Sequence, residues 1–449
     1  MIKSKLEIAT PKLEKSSVLI NYSFGDHHFQ RGVGFPEAVN LEEFQDDPIF
    51  QKLICYMAIS DSIYTFGLDY YDVIETNSSL DEDEANFFEK VMFFGLAEFR
   101  YINNIDMGKK VKIVSILDDA TKQQDNASWK MNTKNRAAFV LNGGGKDCVV
   151  AIDIAAGAGL DVELLSSGYV GARQYIAEQS GLSSVNLDRI TDGYVKTHAK
   201  YKGHKPMSLY VAFASILAAY VFGKQYVVSA NEYSANFANL EKDGVNINHQ
   251  YTKSLEFERD LQEFLTRHQI PVKYFSATRQ LYELQVLDIF AQNNEVYHAG
   301  FISCNENIRE NKWCLACPKC AFVLGAMYLF NEKSARRVWG TPERVFSHSL
   351  VNYLVELVNP NLKPLECIGT REENCYLLQR LLQEKIIVPN KRQLQLYESY
   401  LTDDRENNFS DDNLATLHGE ESIPLELVSG VEKVIRQLLD AKYRGGRNA

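Results

Sequence analysis

Ala137-Ala138-Phe139-Val140-Leu141-Asn142-Gly143-Gly144-Gly145-Lys146-Asp147-Cys148-Val149-Val150-Ala151-Ile152 joins an apolar run, a glycine-rich turn and a second apolar stretch with helical spacing. Five apolar residues bounded by a turn suit a strand buried on both faces. Three successive glycines let backbone amides approach a ligand, the following helix aims its N-terminal amides and dipole at the same point, and Lys146 adds a charge. Pyrophosphate is the natural guest. The turn is neither a Walker loop, with four residues between its glycines, nor a dinucleotide fingerprint with glycines at the first, third and sixth places. Alone, a triple glycine reads more readily as an ordinary strand-to-helix turn, so its surroundings decide.

Downstream, short apolar runs at 161–165, 185–187, 226–229 and 272–275 alternate with helical patterns at 147–156, 170–179, 206–222 and 255–267. That rhythm predicts an α/β fold, a parallel sheet with helices on both faces and the ligand at the strand carboxyl ends. Upstream, a hairpin-like stretch at 17–34 and helical patterns at 50–64 and 83–100 predict an N-terminal α+β domain. The polar stretch around 118–136 reads as a linker. The expected division is 1–118 (N-terminal α+β domain), 119–136 (linker), 137–300 (α/β domain carrying the glycine-rich loop), 301–330 (cysteine-rich segment) and 331–449 (C-terminal helical region).

The chain has 449 residues, 48 Lys plus Arg against 59 Asp plus Glu, and net charge -11. An acidic balance without an evident basic cluster disfavours nucleic acid as a partner. No signal-peptide pattern opens the chain. Residues 207–222 come nearest a membrane span but are too short, so no membrane partner and a soluble, cytoplasmic protein are expected.

Four of eight cysteines, Cys304, Cys314, Cys317 and Cys320, crowd into seventeen residues. In a large chain with no export signal this spacing indicates metal rather than disulfides. Two overlapping C-x2-C knuckles plus one further thiolate suit a closed, structural Zn2+ site. An iron–sulfur cluster is the competing reading, but the proline follows the second cysteine of the run rather than the last.

The long connection after the fourth strand carries Asn231, Glu232, Asn248, His249, Tyr251 and Lys253, which supply acid, base and anion contacts; loops of that length are often functional. A solvated loop with a Ser254 helix cap explains part of it. Lys205 precedes a helix entered through Pro206, and Cys367 and Arg371 share a short charged segment near the C-terminus.

The glycine loop resembles the Ser-Gly-Gly-x-Asp-Ser loop of PP-loop ATP pyrophosphatases, with Gly143 in place of the first Ser and Cys148 in place of the last. That second exchange leaves a weak thiol donor for a hydroxyl. More closely, the segments at 95–101, 143–147, 229–235, 248–253, 303–305, 313–320 and 363–369 together resemble the MurL-type epimerases of peptidoglycan precursor synthesis. The resemblance spans nearly the whole chain, with Cys148 the main departure. It implies a PP-loop, HUP-like Rossmann-type core, ATP and Mg2+ as cofactors, and epimerisation of the terminal L-Glu of a small-molecule UDP-muramoyl dipeptide through an acyl-adenylate. In this reading Gly143, Gly144, Gly145, Lys146, Asp147 and Cys148 bind ATP, and His249, Lys253, Tyr251 and Cys367 are catalytic. Asn231, Glu232, Asn248, Lys205 and Arg371 bind substrate, and the four clustered cysteines hold metal. The alternatives are another adenylating or amidating enzyme resembling 7-cyano-7-deazaguanine synthase, and a zinc-stabilised binding module without turnover.

Overall fold

A computed structural model describes residues 4–117, 134–304, 306–360, 365–366, 368–400 and 409–445. Side chains of the apolar run quoted first alternate between two cores: Ala138 and Val140 pack on one side, Phe139 on the other. That is the two-residue period of a strand covered on both faces.

The strands are β1 (Lys5–Ile8), β2 (Lys12–Glu14), β3 (Ser17–Phe24), β4 (His27–Gly34), β5 (Val73–Thr76), β6 (Lys112–Ser115) and β7 (Lys134–Leu141). They continue with β8 (Asp161–Ser167), β9 (Ser184–Thr191), β10 (Lys224–Ser229), β11 (Leu240–Lys242), β12 (Val245–Ile247) and β13 (Lys273–Ser276). Among the described residues, eleven form one sheet in the order β13-β10-β7-β8-β9-β4-β3-β1-β5-β6, with β2 beside β3; β11 and β12 form a separate hairpin. β13, β10, β7, β8 and β9 run parallel. The chain moves outward from β7 to β9, then returns to β10 on the other side of β7, which creates a topological switch point between β7 and β10.

Helices Lys146–Gly157 and Gly171–Ser180 pack into the first core, and helices Met207–Val221 and Leu255–Arg267 into the second. The last begins where expected, because the Ser254 side chain accepts from the Phe257 amide at 3.2 Å. The N-terminal strands join the same sheet through an antiparallel seam that pairs Arg31 with Thr191 and Gly34 with Asp188. From Pro318 onward the described elements are all helices, and they pack on the first core. β7 opens at Lys134, within the stretch expected as linker; residues 118–133 lie outside the described ones. Among the described residues no helix is long and apolar enough to cross a membrane.

Candidate active site

At the switch point the loops after β7 and β10 face one crevice. Asn142 fixes the first loop from both sides: Oδ1 accepts from the Gly144 amide at 3.0 Å, and Nδ2 donates to the Arg173 carbonyl at 2.9 Å. Gly144 has φ +84°, and a Cβ there would lie 2.9 Å from that of Ala172, so conformation and space both require glycine. A Cβ on Gly143 would meet nothing within 4 Å, which leaves this side of the turn open. A cavity of about 140 Å³ adjoins it, lined among others by Asn142, Gly143, Ser166, Arg173 and Ser215.

Lys146 is wholly buried, with Nζ 2.5 Å from Asp147 Oδ1 and 3.2 Å from Glu283 Oε1. Burial works against its charge, but Asp147, Glu283 and Glu232 more than offset this and hold the ammonium above its ordinary range. One lysine does not balance both close neighbours. Asp147, 30% exposed, stays below its ordinary value because Lys146, Lys319 and Lys253 outweigh its desolvation. Burial instead pushes Glu283 up to about 8, and its Oε2 has no hydrogen-bond partner. At neutral pH the cluster is therefore a charged Lys146–Asp147 pair beside a protonated Glu283.

Two further buried side chains hold these elements together. Glu373 accepts from Ser234 Oγ at 2.6 Å, the Thr370 amide at 2.6 Å and the Leu284 amide at 2.8 Å, and burial pushes its carboxyl up to about 7. Arg279 pairs with Glu258 at 2.6 Å and donates to the carbonyls of Glu232 (3.1 Å) and Lys253 (2.8 Å). It thereby ties both ends of the long loop after β10.

His249 projects from that loop onto Glu98, its Nδ1 against Oε2, with the two side chains 9% and 5% exposed. The His204 ring lies 4.1 Å from the His249 ring. Burial, reinforced by His249, Lys253 and Lys205, lowers His204 to about 3, so it is neutral at physiological pH. An imidazole oriented by a carboxylate beside a second, neutral imidazole is an arrangement suited to proton transfer.

The other expected site residues are distributed as follows. Glu232 is buried and acts electrostatically on Lys146 and Glu283. Tyr251 lies in the second core against Phe94, its hydroxyl 3.4 Å from Glu256. Asn231 Nδ2 donates to Ser229 Oγ at 3.1 Å, and Asn248 Nδ2 to the Ala235 carbonyl at 3.0 Å, so both shape the loop. Lys205 Nζ sits 4.9 Å from the centre of the Phe99 ring, on the helix that carries Glu98. Arg371 Nε donates to the Val358 carbonyl at 3.0 Å. Cys148 is buried, with Sγ 3.0 Å from the Gly145 carbonyl, and burial pushes the thiol up to about 12. Cys367 lies outside the described residues. Sequence reasoning missed Glu98, Glu283, Glu373 and Arg279. Only Glu98 stood in a stretch with family character, and nothing there linked it to His249.

Cys304, Cys314, Cys317 and Cys320 bring their sulfurs within 4.8 Å of one another, with Cys314 and Cys320 3.6 Å apart. Metal–thiolate bonds of about 2.3 Å in a tetrahedron imply sulfur separations of ~3.8 Å, so the group can hold a metal ion. Amide hydrogens of Cys314, Ala316 and Cys320 point at cluster sulfurs, each at 3.4 Å. The cluster adjoins the crevice: the Ile302 amide donates to the Gly144 carbonyl at 2.9 Å, and Lys319 acts on Asp147 and Glu283.

Fold and site together define a doubly wound α/β protein with a glycine-rich loop at its switch point and a four-cysteine centre beside it. Residues 5–277 match the MurL N-terminal domain and residues 300–414 the MurL C-terminal domain. The chain belongs to the MurL family. It is 29% identical over 316 residues to a protein of Xanthomonas oryzae pv. oryzae, covering 66% of each chain. A Micromonospora protein is 28% identical over 336 residues, covering 71% of this chain and 73% of its own. A Salinispora tropica protein is 29% identical over 296 residues, covering 64% of each. All three bear the name UDP-N-acetyl-alpha-D-muramoyl-L-alanyl-L-glutamate epimerase.

Proposed function

We propose that the chain inverts the terminal L-Glu of a UDP-muramoyl-L-Ala-L-Glu substrate, consuming ATP and releasing AMP and pyrophosphate. The observation that carries this reading is the match to both MurL domains in a chain whose glycine-rich loop opens beside a buried Lys–Asp–Glu cluster. The α-proton of a free glutamate is hard to remove because the adjoining carboxylate already bears a charge. Transfer of the adenylyl group to that carboxylate, with loss of pyrophosphate, removes the charge and acidifies the α-carbon. A base then takes the proton, an acid returns one to the opposite face, and water releases AMP and D-Glu.

The roles follow from chemistry and position. The amides of Gly143, Gly144 and Gly145 suit the phosphates, and Asp147 suits Mg2+, which would neutralise charge on the departing pyrophosphate. Lys146 keeps Asp147 ionised for that task. His249, oriented by Glu98, and neutral His204 are the proton-transfer pair, with Lys253 near them in the same loop. Zn2+ at the four cysteines would be structural, fixing Ser303 and Lys319 beside the loop.

The test is turnover of UDP-muramoyl-L-Ala-L-Glu with ATP and Mg2+ in deuterium oxide, followed by AMP assay and chiral analysis of the glutamate. D-Glu deuterated at Cα is the expected product. In His249→Gln, AMP formation should persist while deuterium entry falls roughly 100-fold or more. AMP without exchange in the unmodified protein would transfer the chemistry to another acceptor.

A further inference from the structure

Between β9 and helix Met207–Val221 the chain runs as a strap from the aromatic rings on β4 to His249. At one end a column of aromatic rings rises from the sheet. Tyr22 and Phe29, paired across β3 and β4, stack at 5.5 Å and 11°; Phe29 and Tyr194 stack at 5.8 Å and 6°; Tyr194 and His198 stack at 3.9 Å and 11°. The column begins in the core, where Tyr22 is 1% exposed, and ends at exposed His198. The last rings are fixed: Tyr194 OH meets His27 Nδ1, and His198 Nδ1 donates to the Tyr194 carbonyl at 3.0 Å. Among the described residues no further ring stacks beyond His198.

The strap is also cationic in an acidic chain. No Asp or Glu occurs between Asp192 and Glu232, whereas Lys196, Lys200, Lys202 and Lys205 fall within ten residues. The expectation that basic residues do not cluster fails here. Among the described residues none of the four lysines pairs with a carboxylate. The backbone is anchored by the Lys200 and Tyr201 amides, which donate to the Gly67 carbonyl at 2.8 and 3.0 Å, and by Asn103 Nδ2, which donates to the Lys202 carbonyl at 2.7 Å. At its far end stands His204, against His249. His204 lies six positions beyond His198, a span of at most ~22 Å.

We infer that this strap binds the nucleoside diphosphate part of the substrate, the base stacked on His198 and the two phosphates along Lys196, Lys200 and Lys202. The assignment rests on the epimerase reading for the substrate's identity. His198 ends the column as an exposed flat ring, with the His27 ring tilted at 57° and 6.3 Å from it, and such a ring accepts any base; lysines without a carboxylate partner among the described residues suit a diphosphate, so base and anion recognition lie in one segment. The same segment ends at the proton-transfer pair, which aligns the nucleotide at one end and the glutamate at the other.

Calorimetric titration of the full chain with UDP tests it. Unmodified protein should bind UDP, His198→Ala should weaken binding about tenfold, and His198→Phe, which keeps a flat ring, should stay within threefold. The triple variant Lys196→Ala, Lys200→Ala, Lys202→Ala should weaken binding at least as much and lose its salt dependence. His198 is exposed, so circular dichroism should be unchanged. No UDP binding, or UDP affinity in His198→Ala within twofold of the unmodified protein, overturns the assignment. Epimerisation is read separately: UDP binding that depends on His198 in a chain that does not epimerise the dipeptide supports the strap and removes the epimerase. Epimerisation with KM unchanged in His198→Ala does the reverse.

Discussion

Two buried clusters of ionisable groups adjoin one another and resolve their charge in opposite ways. Lys146, Asp147 and Glu283 balance among themselves: one ammonium, one carboxylate, and one carboxyl kept protonated by burial. Among the described residues the four cysteines face one another and a few amide hydrogens. The first cluster balances its charge with groups of the chain, whereas the second could hold a metal ion, whose positive charge would match four thiolates at such close quarters. On the proposed reading, one site waits for its ligand and the other takes up its metal as part of folding.

The largest expected effect tests that dependence. Removing any metal held by the cysteines with a chelator, or substituting Cys317→Ser, should loosen Ile302 from the glycine loop, lower the melting temperature by several degrees and abolish AMP formation. Full activity in protein shown to be metal-free by elemental analysis would break the contrast. Next comes Lys146→Met, which leaves half-buried Asp147 and buried Glu283 without their cation. Denaturant unfolding should register a loss of about 3–5 kcal/mol, and AMP formation should fall roughly 100-fold. A loss near zero would mean the pair is not intact in solution.

A smaller effect concerns pH. The folded chain keeps the Glu283 proton at pH values where the unfolded chain has released it. This contribution to stability is whole below about 4.5 and is lost as pH rises through about 8. Glu283→Gln, an amide in place of a protonated carboxyl, should flatten the decline between pH 6 and 8.5 in chemical denaturation. An unchanged slope would place the titration elsewhere. The smallest effect is expected at Cys148→Ser. The thiol faces the Gly145 carbonyl, and a hydroxyl can make the same hydrogen bond, so AMP formation should change by less than about twofold. A large gain would return Cys148 to the phosphate contacts.

What the sequence disclosed followed the distance over which each feature is built. The four cysteines are a local pattern and were legible as a group, as were the strand at 137–141 and the helix at 255–267, whose Ser254 cap is a neighbour in the chain. Glu283 lies 137 positions from Lys146, and Glu98 lies 151 from His249. No periodicity links such pairs, because only the crossing of the sheet brings them together. Tyr251 and Arg371 show that a suggestive segment also carries structural contacts: Tyr251 packs against Phe94, and Arg371 Nε donates to the Val358 carbonyl.

The seam between β4 and β9 has a consequence for folding. Without β4, the parallel half of the sheet would end in β9 with a bare row of amides and carbonyls, a template for association with other chains. A fragment starting at residue 134 should therefore aggregate even though every residue of the glycine loop is present. The N-terminal strands serve the crevice at a distance, as the border that keeps the sheet finite.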